Sequence, residues 1–133
     1  TVVLELPGDG QKDKGFKATE DALQSHPDLA GIFSINDPCA LGARAALEKA
    51  QKADQVKIIG FDGQIDGKQA IRDGKIYADP VQFPDRIGAM TVTSMVRYFN
   101  GDDLPAEQLI PTALYRRADG QNDPELKSAA KAN

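Results

Sequence analysis

The run Lys57-Ile58-Ile59-Gly60-Phe61-Asp62-Gly63 constrains this chain more than any other stretch. A short apolar run closed by a turn signal reads as a buried parallel strand, and Gly60 and Gly63 let the backbone turn tightly around Asp62. Asp62 is thereby expected at the carboxyl end of a strand. In open α/β sheets ligands bind beyond that end, so a negative acceptor there suits a partner rich in hydroxyl or ammonium donors. The competing reading is that Asp62 only caps the helix that follows, a position aspartate favours.

The remaining chain alternates strand and helix signals around this run. Val2–Leu6 is apolar and β-branched and is stopped by Pro7-Gly8-Asp9-Gly10, which predicts a first strand and its loop. Phe16, Thr19, Ala22 and Leu23 share one face at helical spacing, predicting a surface helix over 13–24 that Ser25-His26-Pro27 breaks. A second strand is read over 29–35. There Asp37 is expected as the N-cap and Pro38 as the first position of a small-residue helix running to about Gln51. A short helix over 64–72 ends at Asp73-Gly74, a fourth strand spans 76–81 with Pro80 marking an edge or a strand end, and a last extended segment covers 109–116. The helix from Asp85 to Asn100 is apolar nearly all round, with Ile87, Met90, Val92, Met95, Val96 and Phe99, so it needs cover on more than one side. Residues 118–133 read as a tail whose segment 125–132 is a short polar helix or frayed end.

Asn36 and Gln82 fall at strand ends like Asp62. Asn36 can accept from one hydroxyl and donate to the next, which suits a polyol, although an Asx turn would use the same residue. Together the three polar side chains on successive strands converge on one crevice.

With 133 residues, 41% of them hydrophobic, the chain can bury one core. A net charge of −4 without a basic run argues against nucleic acid and anionic membranes. Gly10 and Gly15 have the phosphate-loop separation, but Phe16 stands where the lysine belongs. The single histidine, His26, is placed in a turn at the amino edge of the sheet. The single cysteine, Cys39, lies in a helix's first turn without a His or Asn partner and is read as packing. No nucleophile–base pair and no metal cluster is legible, so neither an enzyme nor a cofactor is expected.

Several ordered motifs carry a resemblance: Ser25-His26-Pro27-Asp28-Leu29, Asn36-Asp37, Ala40-Leu41-Gly42-Ala43, Gly60-Phe61-Asp62-Gly63, Ala70-Ile71-Arg72-Asp73-Gly74-Lys75 and Gln82-Phe83-Pro84-Asp85-Arg86-Ile87-Gly88. From about Val3 to Tyr115 the chain resembles the ribose-type periplasmic sugar-binding proteins of bacterial ABC transporters. That resemblance implies an α/β fold with a mostly parallel sheet flanked by helices, part of the C-terminal lobe of a two-lobe molecule that closes on a sugar without catalysis. It implies sugar hydroxyls on Asn36, Asp62 and Gln82, a membrane permease as partner and a periplasmic location. The loop Pro7–Gln11 lacks the aromatic ring that the family often stacks on the sugar. The likeness begins partway through the second lobe, and the chain opens inside a strand-like run with no initiator Met, as a fragment does. The expectation is therefore an incomplete sugar-binding lobe over 1–117, with the 85–100 helix packing on a first lobe absent here and a tail over 118–133. An unpaired sheet edge and the apolar helix together predict self-association of such a piece. The effector core of a LacI-type repressor shares the fold and the Asn-Asp and Gly-Phe-Asp signatures, and is the alternative function.

Overall fold

A computed structural model describes residues 1–129. In chain order it contains α1 (Lys12–Ser25), β1 (Gly31–Phe33), α2 (Asp37–Lys49), β2 (Lys57–Ile59), α3 (Ile65–Arg72), β3 (Ala78–Val81), α4 (Pro84–Phe99), β4 (Ala113–Arg116), α5 (Arg117–Asn122) and α6 (Pro124–Ala129). The four strands form one sheet in the order β1-β2-β3-β4. β1 pairs with β2, and β2 with β3, in parallel; β4 adds antiparallel to β3 with Asp79 opposite Tyr115. Parallel neighbours place all three strand ends on one edge, so β1, β2 and β3 deliver the residues that follow them to the same side of the molecule.

Two expectations change. Residues 2–6 form no strand: Val2 and Val3 are exposed, and the segment has no ladder partner among the described residues. An apolar β-branched run becomes a strand only when a neighbour takes its N–H and C=O groups, and β1 is not paired to it. Pro80, expected at an edge or end, sits within β3, which has neighbours on both sides. A strand residue's N and carbonyl O point to the same side, and Pro80 O accepts from Asp62 N at 3.2 Å. Its missing N–H faces the β2 side, and the ladder is interrupted there between the Ile59–Ala78 pair and the Asp62–Val81 bridge.

The core gathers α2, β2, α3 and the approach to β3: Leu47, Ile58, Ile71 and Ile76 are fully buried, with Ala40, Ala43, Val56 and Ala70 around them. α1 lies directly on α2, backbone against backbone. A Cβ at Gly15 would stand 2.5 Å from Cys39 O, and one at Gly42 would meet the carbonyl of Lys12. Small side chains in α2 thus admit a helix as well as the sheet. α3 ends as read, with Gly74 at φ +76 and its N–H on Ile71 O. α5 and α6 dock on α3, burying Gly120 against Arg72 and sealing Leu126. Lys68 pairs there with Glu125 at 2.7 Å and Asp123 at 3.7 Å. The predicted helix over 125–132 is thus present as α6 to residue 129, and 130–132 lie outside the described residues.

α4 forms where its pattern placed it, yet buries no residue. Val92, Val96, Tyr98 and Phe99 are each more than half exposed. The strap that follows supports it laterally, where Ser94 and Gln108 exchange hydrogen bonds and Ile87, Met90 and Met95 line a hollow with Leu109.

Candidate functional site at the strand ends

Beyond Phe33 the β1 ladder extends by one bond, Ser34 N to Ile59 O at 2.8 Å, and the chain then turns into α2. Asn36, not Asp37, is the N-cap: its Oδ1 accepts from Cys39 N at 3.1 Å. Asn36 Nδ2 donates to Gly10 O at 3.2 Å, tying the loop before α1 to the end of β1. The capping role that sequence assigned to Asp37 fails because Asn36 holds the extended backbone (φ −161°, ψ 173°) that a cap needs. Asp37 and Pro38 then occupy the first helical turn.

Asp62 follows β2 after Gly60 and Phe61. It adopts φ +98°, an unusual conformation for a residue with a side chain, and Gly63 follows at φ +81°. Both its main-chain groups are used, N–H on Pro80 O and C=O from Gln82 N at 3.0 Å. These bonds prolong the β2–β3 pairing past the turn through a single parallel bridge to Val81. The side chains meet as well: Gln82 Nε2 donates to Asp62 Oδ1 at 2.5 Å. Asp62 Oδ2 and Gln82 Oε1 carry no hydrogen bond among the described residues, and both residues are half-buried. The edge-on pair Phe33–Phe61, with centroids 6.5 Å apart, stands at the same sheet edge with Phe33 exposed.

Gly60 does not have a positive φ. Its role is close approach, for a Cβ there would lie 2.5 Å from Asp79 Oδ1 and 2.9 Å from Asp37 Oδ1. Those two carboxyls are what sequence reading missed. Both are fully buried beneath the Asp62 loop, Asp37 at 1% and Asp79 at 0% exposure. Asp79 Oδ2 accepts from Gly63 N at 2.8 Å and Asp37 Oδ2 from Gln64 N at 2.6 Å. Gly67 in α3 closes the other side, where a Cβ would collide with the Asp37 carboxyl. Burial, and then the Asp37 charge, push the Asp79 carboxyl up to about 8, and burial likewise raises Asp37. The signal that could have found Asp79 is a charge inside an otherwise buried strand, between Ala78 and Pro80.

Cys39 is sealed under the Gly8–Gln11 loop, its Sγ against Gly8 O and Gln11 O at 3.3 Å, and burial raises its thiol, the opposite of activation. His26 is the C-cap of α1, donating its N–H to Ala22 O, at the far end of that helix from the Gly10 contact with Asn36.

Polar residues thus follow three successive parallel strands, Asn36 after β1, Asp62 after β2 and Gln82 after β3, at one edge of an α/β sheet. The sequence profile of the periplasmic binding protein domain matches residues 1–103, and the chain belongs to that family. Among curated proteins, the ribose import binding protein of Salmonella typhimurium is 41% identical over 113 residues, covering 85% of this chain and 38% of its own length. The D-apiose import binding protein of Paraburkholderia graminis is 34% identical over 107 residues, covering 79% and 34%. Among solved structures, an ABC transporter solute-binding protein from Bacillus halodurans with bound myo-inositol superimposes with a TM-score of 0.79 at 29% identity, over 92% of this chain and 42% of that one. The chain thus spans less than half the length of these relatives. No helix among the described residues is long and apolar enough to cross a membrane.

Proposed function

We propose that this chain is part of the sugar-binding lobe of a solute-binding component of an ABC importer, which holds a monosaccharide or polyol without chemical change. The observation that carries the reading is the Asp62–Gln82 couple: each side chain fixes the other through one atom and keeps a second acceptor at the strand-end edge. Asn36 contributes its remaining donor hydrogen and lone pair at the same sheet edge, beyond β1. Residues that hold each other rigidly while keeping acceptors available suit a ligand presenting a fixed array of hydroxyls. The relatives' names, which specify ribose and apiose import, favour transport over a repressor core.

In this reading residues 1–117 form one wall of the site, α5 and α6 brace it through α3, and a first lobe covers the sugar and the apolar face of α4. A membrane permease is the partner and the periplasm the place of action. The 133-residue chain alone self-associates through β1 and α4, which light scattering checks: a monodisperse, cooperatively folding monomer refutes that part.

Calorimetric titration of the full-length gene product against D-ribose, D-allose, D-apiose, D-fucose and myo-inositol tests the function. Asp62→Ala removes a charge-assisted hydrogen bond, a loss of about 1.5–3 kcal/mol or roughly ten- to a hundred-fold in affinity. Unchanged affinity in that variant reduces Asp62 to a structural partner of Gln82, the N-cap of α3 being Gln64.

A further inference from the structure

Each oxygen of the buried pair has a distinct task. The two Oδ2 atoms receive the N–H groups of Gly63 and Gln64, the two residues directly after Asp62. The two Oδ1 atoms converge on Gly60 and have no donor among the described residues. Carboxylate oxygens that face each other in a dry site repel when both groups are ionised, whereas one proton between them satisfies both. Gly60 and Gly67 crowd the pair from two sides without a side chain, so neither oxygen can turn away. The loop between is held in a conformation that an aspartate rarely adopts, φ +98° at Asp62.

We propose that Asp37 and Asp79 share one proton and act together as positioning residues, clamping the Gly63 and Gln64 amides so that the Asp62 carboxylate is aimed at the ligand edge. The proposal rests on the sugar-site reading for its functional consequence, and on the loop geometry for its structural one. The ionisable group facing the pair from the loop is Asp62, which like the partner carboxyl favours retention of the proton. From α3 the pair meets Gly67, whose neighbour Lys68 is engaged with Asp123 and Glu125. On β4 the register partner of Asp79 is Tyr115, whose hydroxyl donates to Asp123. That cation and that phenol are thus committed elsewhere. Loss of the shared proton leaves two adjoining charges under the loop, loosening it and weakening binding as pH rises past about 8.

Asp79→Asn restores the arrangement without the proton, since Nδ2 donates to Asp37 while Oδ1 accepts from Gly63. Asp79→Leu fills the space without a hydrogen bond. In the full-length protein at about pH 6, infrared difference spectra of the unsubstituted protein against Asp79→Asn are expected to show one buried protonated carboxyl, absent from the variant and lost from the unsubstituted protein above about pH 8. Asp79→Asn should keep D-ribose affinity within about threefold and remove its fall at high pH, while Asp79→Leu should lose more than about tenfold and exchange the Gly63 and Gln64 amides faster. The proposal is overturned by absence of the protonated carboxyl, or by Asp79→Leu binding and exchanging like the unsubstituted protein. Should Asp79→Leu not fold, the infrared band and the Asp79→Asn pH profile still decide. A protein that binds neither D-ribose nor the other sugars refutes the functional reading alone, for the infrared and exchange measurements judge the pair independently.

Discussion

Gly42→Ala sets two effects of known size against each other. Alanine in a helix interior is favoured over glycine by about 1 kcal/mol, so on an isolated helix the substitution would stabilise. In this fold the added methyl would collide with Lys12 O and lie 2.8 Å from Phe16 N and 2.9 Å from Lys12 C, where ordinary contacts begin at 3.4 Å. All three are backbone atoms of α1, which cannot rotate aside as a side chain can. α1 must therefore retreat as a unit, opening the seam that buries Thr19, Gly15 and Cys39. Overpacking against a rigid neighbour costs about 3 kcal/mol at the upper end of its usual range, so the net loss is about 2 kcal/mol. With a urea dependence of about 2 kcal/mol per molar, the unfolding midpoint falls by about 1 M. Gly88 in α4 is the control, because nothing lies within 4 Å of its Cβ position and the same change should leave the midpoint unchanged or raise it. The retreat also draws Gly10 from Asn36 Nδ2, so sugar affinity should fall together with stability. Equal urea midpoints for Gly42→Ala and Gly88→Ala would falsify the claim that backbone contact sets the α1–α2 distance.

Stability should fall as pH rises from about 4 to about 8 and then level off, because the native carboxyl pair keeps a proton that the unfolded chain releases near the ordinary aspartate value of about 3.9. The slope approaches 1.4 kcal/mol per pH unit at about one proton retained, measured by urea midpoints across that range; a flat or rising profile between about pH 5 and 8 contradicts the shared proton. Leu126→Ala should lower stability by about 2–3 kcal/mol and speed proteolysis at 118–129, since Leu126 is 1% exposed; an unchanged midpoint and cleavage rate would show that α6 does not hold α3.

The order of strands and helices, the edge that carries Asn36, Asp62 and Gln82, and the glycine stop after α3 follow from the sequence itself. Apolar runs, proline positions and glycine after a helix act over a few residues, and parallel connections then send every strand end the same way. What tertiary structure decided lies in long-range pairing. Val2–Leu6 has strand composition but no partner for its backbone among the described residues, and Pro80 sits inside a sheet at the gap between the Ile59–Ala78 pair and the Asp62–Val81 bridge. Asn36 took the cap from Asp37 because the extended backbone fell one residue earlier, which freed Asp37 to sink beneath the loop. Its partner Asp79 is 42 positions away in the chain, by subtraction of the two residue numbers. No local pattern joins two aspartates across that distance. Only the adjacency of β1, β2 and β3, with glycine at 60 and 67 leaving room, brings the two carboxyls under Asp62.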